Sequence, residues 1–180
     1  MKLTIDGDRL SIRPIERSDT GNIVRWRNTP EIVKNFIDRR PITPQSHQKW
    51  LETRVFTGDV VQFIITVKET GIDIGSVFLR DIDKENRHCE YGIFIGELSA
   101  QGKGYGTEAC RLACGYAFWT LGMHRVFLRV LAENRGAVKS YEKAGFVQEG
   151  IFRSHLFDGE KYHDIIFMGI LGEEFSNGGK

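Results

Sequence analysis

The segment "AQGKGYGTEA", residues 100–109, is the most informative stretch of this chain. Glycine occupies positions 102, 104 and 106, and helix-forming residues follow. Glycine costs backbone entropy, so three glycines at this spacing indicate a backbone that a ligand approaches closely. A turn that opens a helix leaves the first amides of that helix without partners, and these amides bind phosphate. The segment therefore predicts an anion-binding turn at the start of a helix.

Two other glycine motifs fit this segment less well. The P-loop pattern G-x-x-x-x-G-K-[ST] is absent. The dinucleotide fingerprint G-x-G-x-x-G needs its third glycine one position after Gly106, and Glu133 would have to supply its acidic residue. That interpretation remains the weaker alternative. A pyrophosphate held by helix amides, with Lys103 as an added charge, fits the pattern better.

The hydrophobic pattern around this turn predicts a mixed α/β sheet with helices on its faces. Apolar residues alternate in several segments, as in half-buried strands, and the helical period of 3.6 separates them. Thr43 and Asn134 are predicted helix caps, Ser18 or Asp19 caps the first helix, and Gly145 ends a helix. The predicted strands are residues 9–14, 60–68, 73–82, 88–96, 125–131, 146–157 and 161–171, the last two joined by Asp158 and Gly159. The order is β, helices, βββ, α, β, α, ββ, with the three central strands as an antiparallel meander.

Composition narrows the class of protein. The chain has 180 residues, of which 41% are hydrophobic and 27% charged, as in one ordinary globular domain. Its net charge of +1 provides no global field for nucleic acid or for a membrane surface. No apolar segment resembles a signal peptide or a membrane span, and three cysteines suit a reducing cytoplasm. We expect a cytoplasmic protein, with Cys110 and Cys114 as packing residues.

Two motifs together resemble the GNAT superfamily of acyl-CoA-dependent N-acetyltransferases. Gln101-x-x-Gly104-x-Gly106 is similar to its Q/R-x-x-G-x-G/A signature. "ENRGAVKSYEKAGF", residues 133–146, resembles its second motif, N-x-x-A-x-x-x-Y-x-x-x-G-F. The likeness covers residues 8–171 and implies a single GNAT domain over residues 1–180, with a mostly antiparallel central sheet and a flexible tail at 172–180. It also implies acetyl-CoA as co-substrate and allows a homodimer, because many members of the superfamily dimerise.

The resemblance assigns a cofactor site to the glycine turn and the strand before it. In the superfamily this strand carries a bulge, splays from its neighbour and binds the pantetheine arm as a false β-partner. Gly92 and Gly96 flank the corresponding residues and are consistent with a local break in the ladder. Asn134 reaches the cofactor in this motif, and a plain helix cap is its alternative role. The implied cofactor-binding residues are Ile93, Phe94, Ile95, Gln101, Gly102, Lys103, Gly104, Tyr105, Gly106, Thr107 and Asn134.

The resemblance also implies a catalytic acid and a base. Tyr141 lies in the second motif, and its hydroxyl would protonate the leaving thiolate, although a buried tyrosine that only packs its ring is the alternative. Glu90 would take the proton of the amine directly or through water, with His88 and Glu149 as rivals and a solvated charge as the alternative. A backbone amide near Phe94 would stabilise the oxyanion.

The acceptor is the least determined part of the prediction. The stretch "VRWRNTPEIVKNF" resembles enzymes that acetylate nucleotide-linked amino sugars, and the final hairpin resembles ribosomal-protein-alanine and spermidine acetyltransferases. Arginine suits phosphate, so the N-terminal arginines favour an amino sugar, possibly nucleotide-linked, over a protein N-terminus or a polyamine. A non-catalytic acyl-CoA sensor is the rival from another class. No metal site is expected, since His155 and His163 lack partners at ligand spacing. Candidate acceptor residues are Trp26, Arg27 and Phe36, with Arg25, Arg39 and Arg40 as further members of an anion clamp.

Overall fold

The computed structural model describes residues 3–177 of the chain. Its strands are β1 (Ile5–Asp6), β2 (Leu10–Pro14), β3 (Val61–Val67), β4 (Ile72–Asp83), β5 (His88–Ile95), β6 (Arg125–Leu131), β7 (Val147–Phe157) and β8 (Tyr162–Leu171). Its helices are α1 (Thr20–Arg27), α2 (Pro30–Val33), α3 (Pro44–Trp50), α4 (Tyr105–Gly115), α5 (Arg135–Ala144) and α6 (Gly172–Asn177). Single π-helical turns extend α3 over Leu51–Val55 and α4 over Tyr116–Thr120. Among the described residues, no helix is long and apolar enough to cross a bilayer.

One mixed sheet organises the chain, in the strand order β1-β2-β3-β4-β5-β6-β8-β7. Every pair of neighbours is antiparallel except β5 and β6, which are parallel. The predicted mixed and mostly antiparallel sheet is therefore confirmed, and so is the meander of β3, β4 and β5. The crossover between the parallel pair contains α4, as a parallel connection requires.

Alternation along β3 divides the core between the two faces of the sheet. Phe63 and Ile65 pack in the larger cluster beneath α4 and α5, whereas Ile64 packs in a second cluster beneath the N-terminal helices. This is the period of two that the strand pattern predicts. Cys110 and Cys114 lie on the buried face of α4 as free thiols, so their expected packing role is consistent with the structure.

Local cap chemistry explains most helix boundaries, with one correction. The Thr43 hydroxyl accepts from Ser46 N, and the Asn134 side chain accepts from Ala137 N. Asp19 was expected to cap the first helix with its side chain. Instead its carboxylate accepts from Glu16 N at 2.8 Å and pairs with Arg13, and its side chain makes no cap hydrogen bond to α1.

The end of the chain also differs from the prediction. A flexible tail was expected from residue 172, but Gly172–Asn177 form α6. The Phe175 ring explains this order, since it packs 5.2 Å from the ring of Phe118 and 5.4 Å from that of Trp119. The rest of the expected tail, residues 178–180, lies outside the described residues.

Candidate active site

The sheet opens in its middle, between β5 and β6. Their parallel pairing covers only His88 to Glu90 and ends where Glu90 meets Phe127. The remainder of β5, residues 91–95, stays paired to β4 on its other side. A strand edge with free hydrogen-bonding groups therefore faces away from β4, which is the splayed arrangement that the resemblance implied.

The β4–β5 ladder determines which amides lie on this open edge. Gly96 N donates to Ile74 O. Because hydrogen bonding alternates along an antiparallel pair, the amides of even-numbered residues of β5 point to β4 and those of odd-numbered residues point away from it. The amide of Phe94 accordingly points at Ser76 in β4, and those of Ile93 and Ile95 point to the open edge. The expected oxyanion donor near Phe94 stays a prediction, and Ile93 and Ile95 are the neighbours whose amides point to the open edge.

The expected bulge in β5 is also corrected. The register between β4 and β5 is regular from Gly75–Ile95 to Arg80–Glu90, so the break lies entirely on the β6 side. Gly92 and Gly96 serve packing instead, because a β-carbon at these positions would overlap the rings of Phe78 and Trp26 respectively.

The glycine turn leads into α4 as the sequence predicts. Gly102 and Gly104 have φ angles of +73° and +81°, a left-handed conformation that favours glycine. The helix begins with Glu108 N donating to Gly104 O at 3.3 Å. The amides of residues 105–107 precede this bond and are free for an anion. The turn can therefore cradle a pyrophosphate on backbone donors.

Arg9 braces this turn from outside, a contact that the sequence did not predict. Its guanidinium donates to Lys103 O at 3.0 Å and to the Glu108 carboxylate at 3.1 Å. It also lies 4.9 Å from the centre of the Tyr105 ring. Because Arg9 is distant in sequence, no local pattern could reveal the brace.

The turn and the open edge line one cavity of about 700 Å³. Lys139 and Lys143 of α5 also line the cavity and add positive charge that the sequence analysis missed. Lys103 is not among the lining residues, although the other implied cofactor residues are. Those that line the cavity are Ile93, Phe94, Ile95, Gln101, Gly102, Gly104, Tyr105, Gly106, Thr107 and Asn134.

Tyr141 of α5 also lines this cavity, on a helix fixed at both ends. Asn134 caps the start of α5, and Gly145, with φ of +106°, ends it. The Tyr141 ring packs edge-on against Tyr91, with centroids 6.1 Å apart. Burial raises the pKa of Tyr141 well above its usual value, so the phenol carries its proton at neutral pH. A protonated hydroxyl in this position can act as an acid.

Glu90 lines the same cavity and lies between two arginines on the flanking strands. Arg80 of β4 donates to Glu90 Oε2 at 2.8 Å, and Arg129 of β6 donates to Oε1 at 2.7 Å and to Oε2 at 3.0 Å. The carboxylate is 3% exposed. Burial alone would raise the pKa of Glu90, but the two guanidinium groups outweigh it and hold the pKa below its ordinary value. Glu90 is therefore a weak base in this setting.

The far end of the cavity contains the predicted Arg27 and Phe36. The Arg27 guanidinium lies 4.4 Å from the centre of the Phe36 ring, and its buried Nε has no hydrogen-bond partner among the described residues. Asp38 also lines this end. Trp26 is a correction: it is completely buried outside the cavity, where its Nε1 donates to Glu97 at 2.8 Å.

The other predicted arginines do not line the cavity. Arg25, Arg39 and Arg40 pair with Glu97, Asp158 and Asp38 respectively. Arg80 and Arg129 take their place, and they were missed because the pairing of three strands brings them together. Their alternation with buried neighbours was the only signal in the sequence.

The rival bases lie elsewhere. His88 approaches Asp83 at 3.7 Å, and Glu149 forms an ion pair with Arg125. Neither residue lines the cavity. Within residues 3–177, no group of three or more His, Cys, Asp or Glu side chains has the arrangement of a metal site.

Comparison with known proteins agrees with this geometry. The chain is 28% identical over 169 residues to spermidine N(1)-acetyltransferase of Vibrio cholerae, and this match covers 94% of this chain and 96% of the relative. It is 33% identical over 101 residues to a putative ribosomal N-acetyltransferase of Bacillus subtilis, 56% of this chain and 55% of the relative. The crystal structure of the Vibrio cholerae enzyme with CoA and spermine superposes with a TM-score of 0.88 at 27% identity, covering 95% of this chain and 100% of that one.

The family is shown by a match over most of the chain. The model of the acetyltransferase (GNAT) domain matches residues 9–147. This span contains the glycine turn, the open edge of β5 and Tyr141. The chain therefore belongs to the GNAT family of N-acetyltransferases.

Proposed function

We propose that this protein transfers the acetyl group of acetyl-CoA to the primary amine of an acceptor bound in the cavity. The single observation that carries the proposal is the continuity of that cavity. It joins the free amides of the glycine turn to the Tyr141 hydroxyl and then to the arginines around Glu90. The CoA pyrophosphate lies on the turn, and the pantetheine arm lies along the open edge of β5.

The chemistry follows from the order of these groups. The amine nitrogen attacks the thioester carbonyl, and the amide of Ile93 or Ile95 stabilises the negative charge on its oxygen. The carbon–sulfur bond then breaks, and the Tyr141 hydroxyl donates its proton to the thiolate. Water accepts the proton of the amine, because Glu90 is held as a weak base by Arg80 and Arg129. Glu90 instead keeps the two guanidinium groups in place.

Spermidine or another polyamine is the first acceptor that we propose. Support comes from the relatives named spermidine acetyltransferase, which match this chain over nearly its whole length. The amino sugar that the sequence favoured has no such support among the relatives. A polyamine acceptor would place its cationic chain against Asp38 and would have to tolerate the nearby arginines.

An amine that also carries an anionic group is the second candidate, and one observation favours it. Arg27, Arg80 and Arg129 line the acceptor end, against the carboxylates of Asp38 and Glu90. An excess of guanidinium groups attracts phosphate or carboxylate and disfavours a polycation.

A thiol-release assay with purified protein and acetyl-CoA separates these acceptors. The panel contains spermidine, a peptide with an N-terminal alanine, glucosamine and glucosamine 6-phosphate. The highest kcat/KM for spermidine supports the first candidate. A tenfold preference for the phosphorylated sugar over glucosamine, abolished by Arg129→Gln, supports the second. If CoA binds and no amine releases thiol, the protein is a non-catalytic acyl-CoA sensor and the proposed function is wrong.

A further inference from the structure

The loop between α2 and α3 forms one wall of the acceptor end. Asn35, Phe36, Ile37 and Asp38 line the cavity, and we call residues 34–39 the acceptor wall. The Phe36 ring packs edge-on against Phe94 of β5, with centroids 5.6 Å apart. The wall contains no helix or strand, so its position depends on side-chain contacts.

Arg39 organises the wall from within. Its Nε donates to Phe36 O at 3.1 Å, and its Nη2 donates to Lys34 O at 3.0 Å. The guanidinium thus closes the loop upon itself. Its remaining nitrogen, Nη1, donates at 3.1 Å to Asp158 Oδ2, which lies 119 residues away in the β7–β8 turn.

Asp158 is itself held rigidly. Its Oδ1 accepts from the amides of Glu160 and Lys161, both at 3.0 Å. Its Oδ2 also contacts Nε2 of His163. Contacts within the hairpin therefore hold this carboxylate in position independently of Arg39.

His163 connects the same carboxylate to the catalytic helix. Its side chain is 2% exposed, and its Nδ1 lies 2.8 Å from the Glu133 carboxylate. That contact is an ion pair and not an aligned hydrogen bond, since Nδ1 has no hydrogen-bond partner among the described residues. Glu133 directly precedes Asn134, the cap of α5, which carries Tyr141.

We propose that Arg39, Asp158 and His163 form a strut that positions the acceptor wall relative to Tyr141, and that the strut thereby determines acceptor binding. The inference rests on the proposed function, because it assigns this end of the cavity to the acceptor. Arg39 and Asp158 are positioning residues: they act on the acceptor through Phe36 and Asp38 and leave the cofactor end untouched. The contacts of Arg39 with Phe36 O, Lys34 O and Asp158 cannot all be reproduced by a lysine ammonium, which lacks the planar fork.

Kinetics tests the strut. Arg39→Gln and Asp158→Asn should each raise the acceptor KM about tenfold, and the KM for acetyl-CoA should stay within about twofold of wild type. The double variant should be no worse than Arg39→Gln alone, because Arg39→Gln already removes the contact with Asp158 along with the two contacts inside the wall. Arg39→Lys should recover part of the loss. Arg17→Gln is the matched control, since Arg17 pairs with Glu52 on the exposed surface. Equal effects on both substrates, or additive effects in the double variant, would overturn the strut.

Hydrogen exchange gives a readout that does not need an active enzyme. Asp158→Asn should speed amide exchange in peptides covering residues 34–39 and leave residues 100–109 unchanged. Unchanged exchange in the acceptor wall overturns the strut, whatever the activity. Faster exchange in the Asp158→Asn variant, when the wild-type protein acetylates no amine, supports the strut and removes only the proposed function.

Discussion

At the scale of single residues, the Tyr141 hydroxyl carries the sharpest chemical prediction. Tyr141→Phe keeps the ring packing and removes the proposed proton donor, so kcat should fall about 10²- to 10⁴-fold, the range for loss of a general acid. The KM for acetyl-CoA should stay within about twofold of wild type. Thiol release measures both constants. Tyr116→Phe is the matched control, because Tyr116 packs on Phe63 outside the cavity. A parallel loss of cofactor affinity would contradict the acid role.

Residues whose role depends on local backbone chemistry were the easiest to predict from the sequence. Thr43, Asn134 and Gly145 act within a few residues of their own position, so spacing alone indicates them. Arg80 and Arg129 could not be found in this way. They meet at Glu90 only because three strands align there, and a strand register is a long-range property.

At the scale of elements, the contact between the β7–β8 hairpin and the start of α5 predicts a pH dependence. His163 faces Asp158 and Glu133, with Arg39 and Lys161 nearby, and the two carboxylates raise the pKa of His163 above its ordinary 6.5. A raised folded-state pKa gives stability that is fully present below pH 6.5 and is lost as the pH rises through the folded pKa.

Thermal unfolding measures this dependence. The Tm advantage of wild type over His163→Gln should be largest below pH 6.5 and should shrink at higher pH. His124→Gln, a change at an exposed histidine, is the control and should show no such trend. A wild-type advantage that grows with pH would contradict the ion pairs.

Helices and strands were predicted well where their hydrophobic pattern is continuous, and less well where tertiary packing determines the structure. β6 has the predicted bounds, and β5 ends one residue before the predicted Gly96. The separation of β5 from β6 came only from the resemblance, because residues 91–95 read as an ordinary buried strand. α6 was missed because its order depends on Phe175 finding the rings of Phe118 and Trp119.

At the scale of the whole molecule, CoA should act as a bridge across the divided sheet. At a concentration of 100 times Kd it should stabilise the fold by about 2.7 kcal/mol, which raises Tm by roughly 5–10 °C for a chain of this length. Gly104→Val should abolish the shift, since a side chain at φ +81° strains the turn that we propose holds the pyrophosphate.

A matched glycine substitution separates strain from binding. Gly122 also has a positive φ, +69°, and is absent from the cavity lining. Gly122→Val should lower Tm in the absence of CoA and keep the CoA-dependent shift. Loss of the shift in both variants would show that strain alone explains the effect and would remove the turn from the binding site.

The open edge of β5 has a consequence for the self-association of the cofactor-free protein. Unpaired strand edges normally lie at the periphery of a sheet, where another polypeptide can add to them and begin aggregation. Here the edge belongs to an interior strand, because β5 lies between β4 and β6 in the strand order, so a second chain would have to enter the folded domain to reach it. The pantetheine arm of CoA is thin and flexible and can enter along this edge, whereas a polypeptide strand with side chains on both faces cannot. In the cofactor-free protein, the hydrogen-bonding groups of this edge can therefore remain unpaired with little danger of self-association at that position.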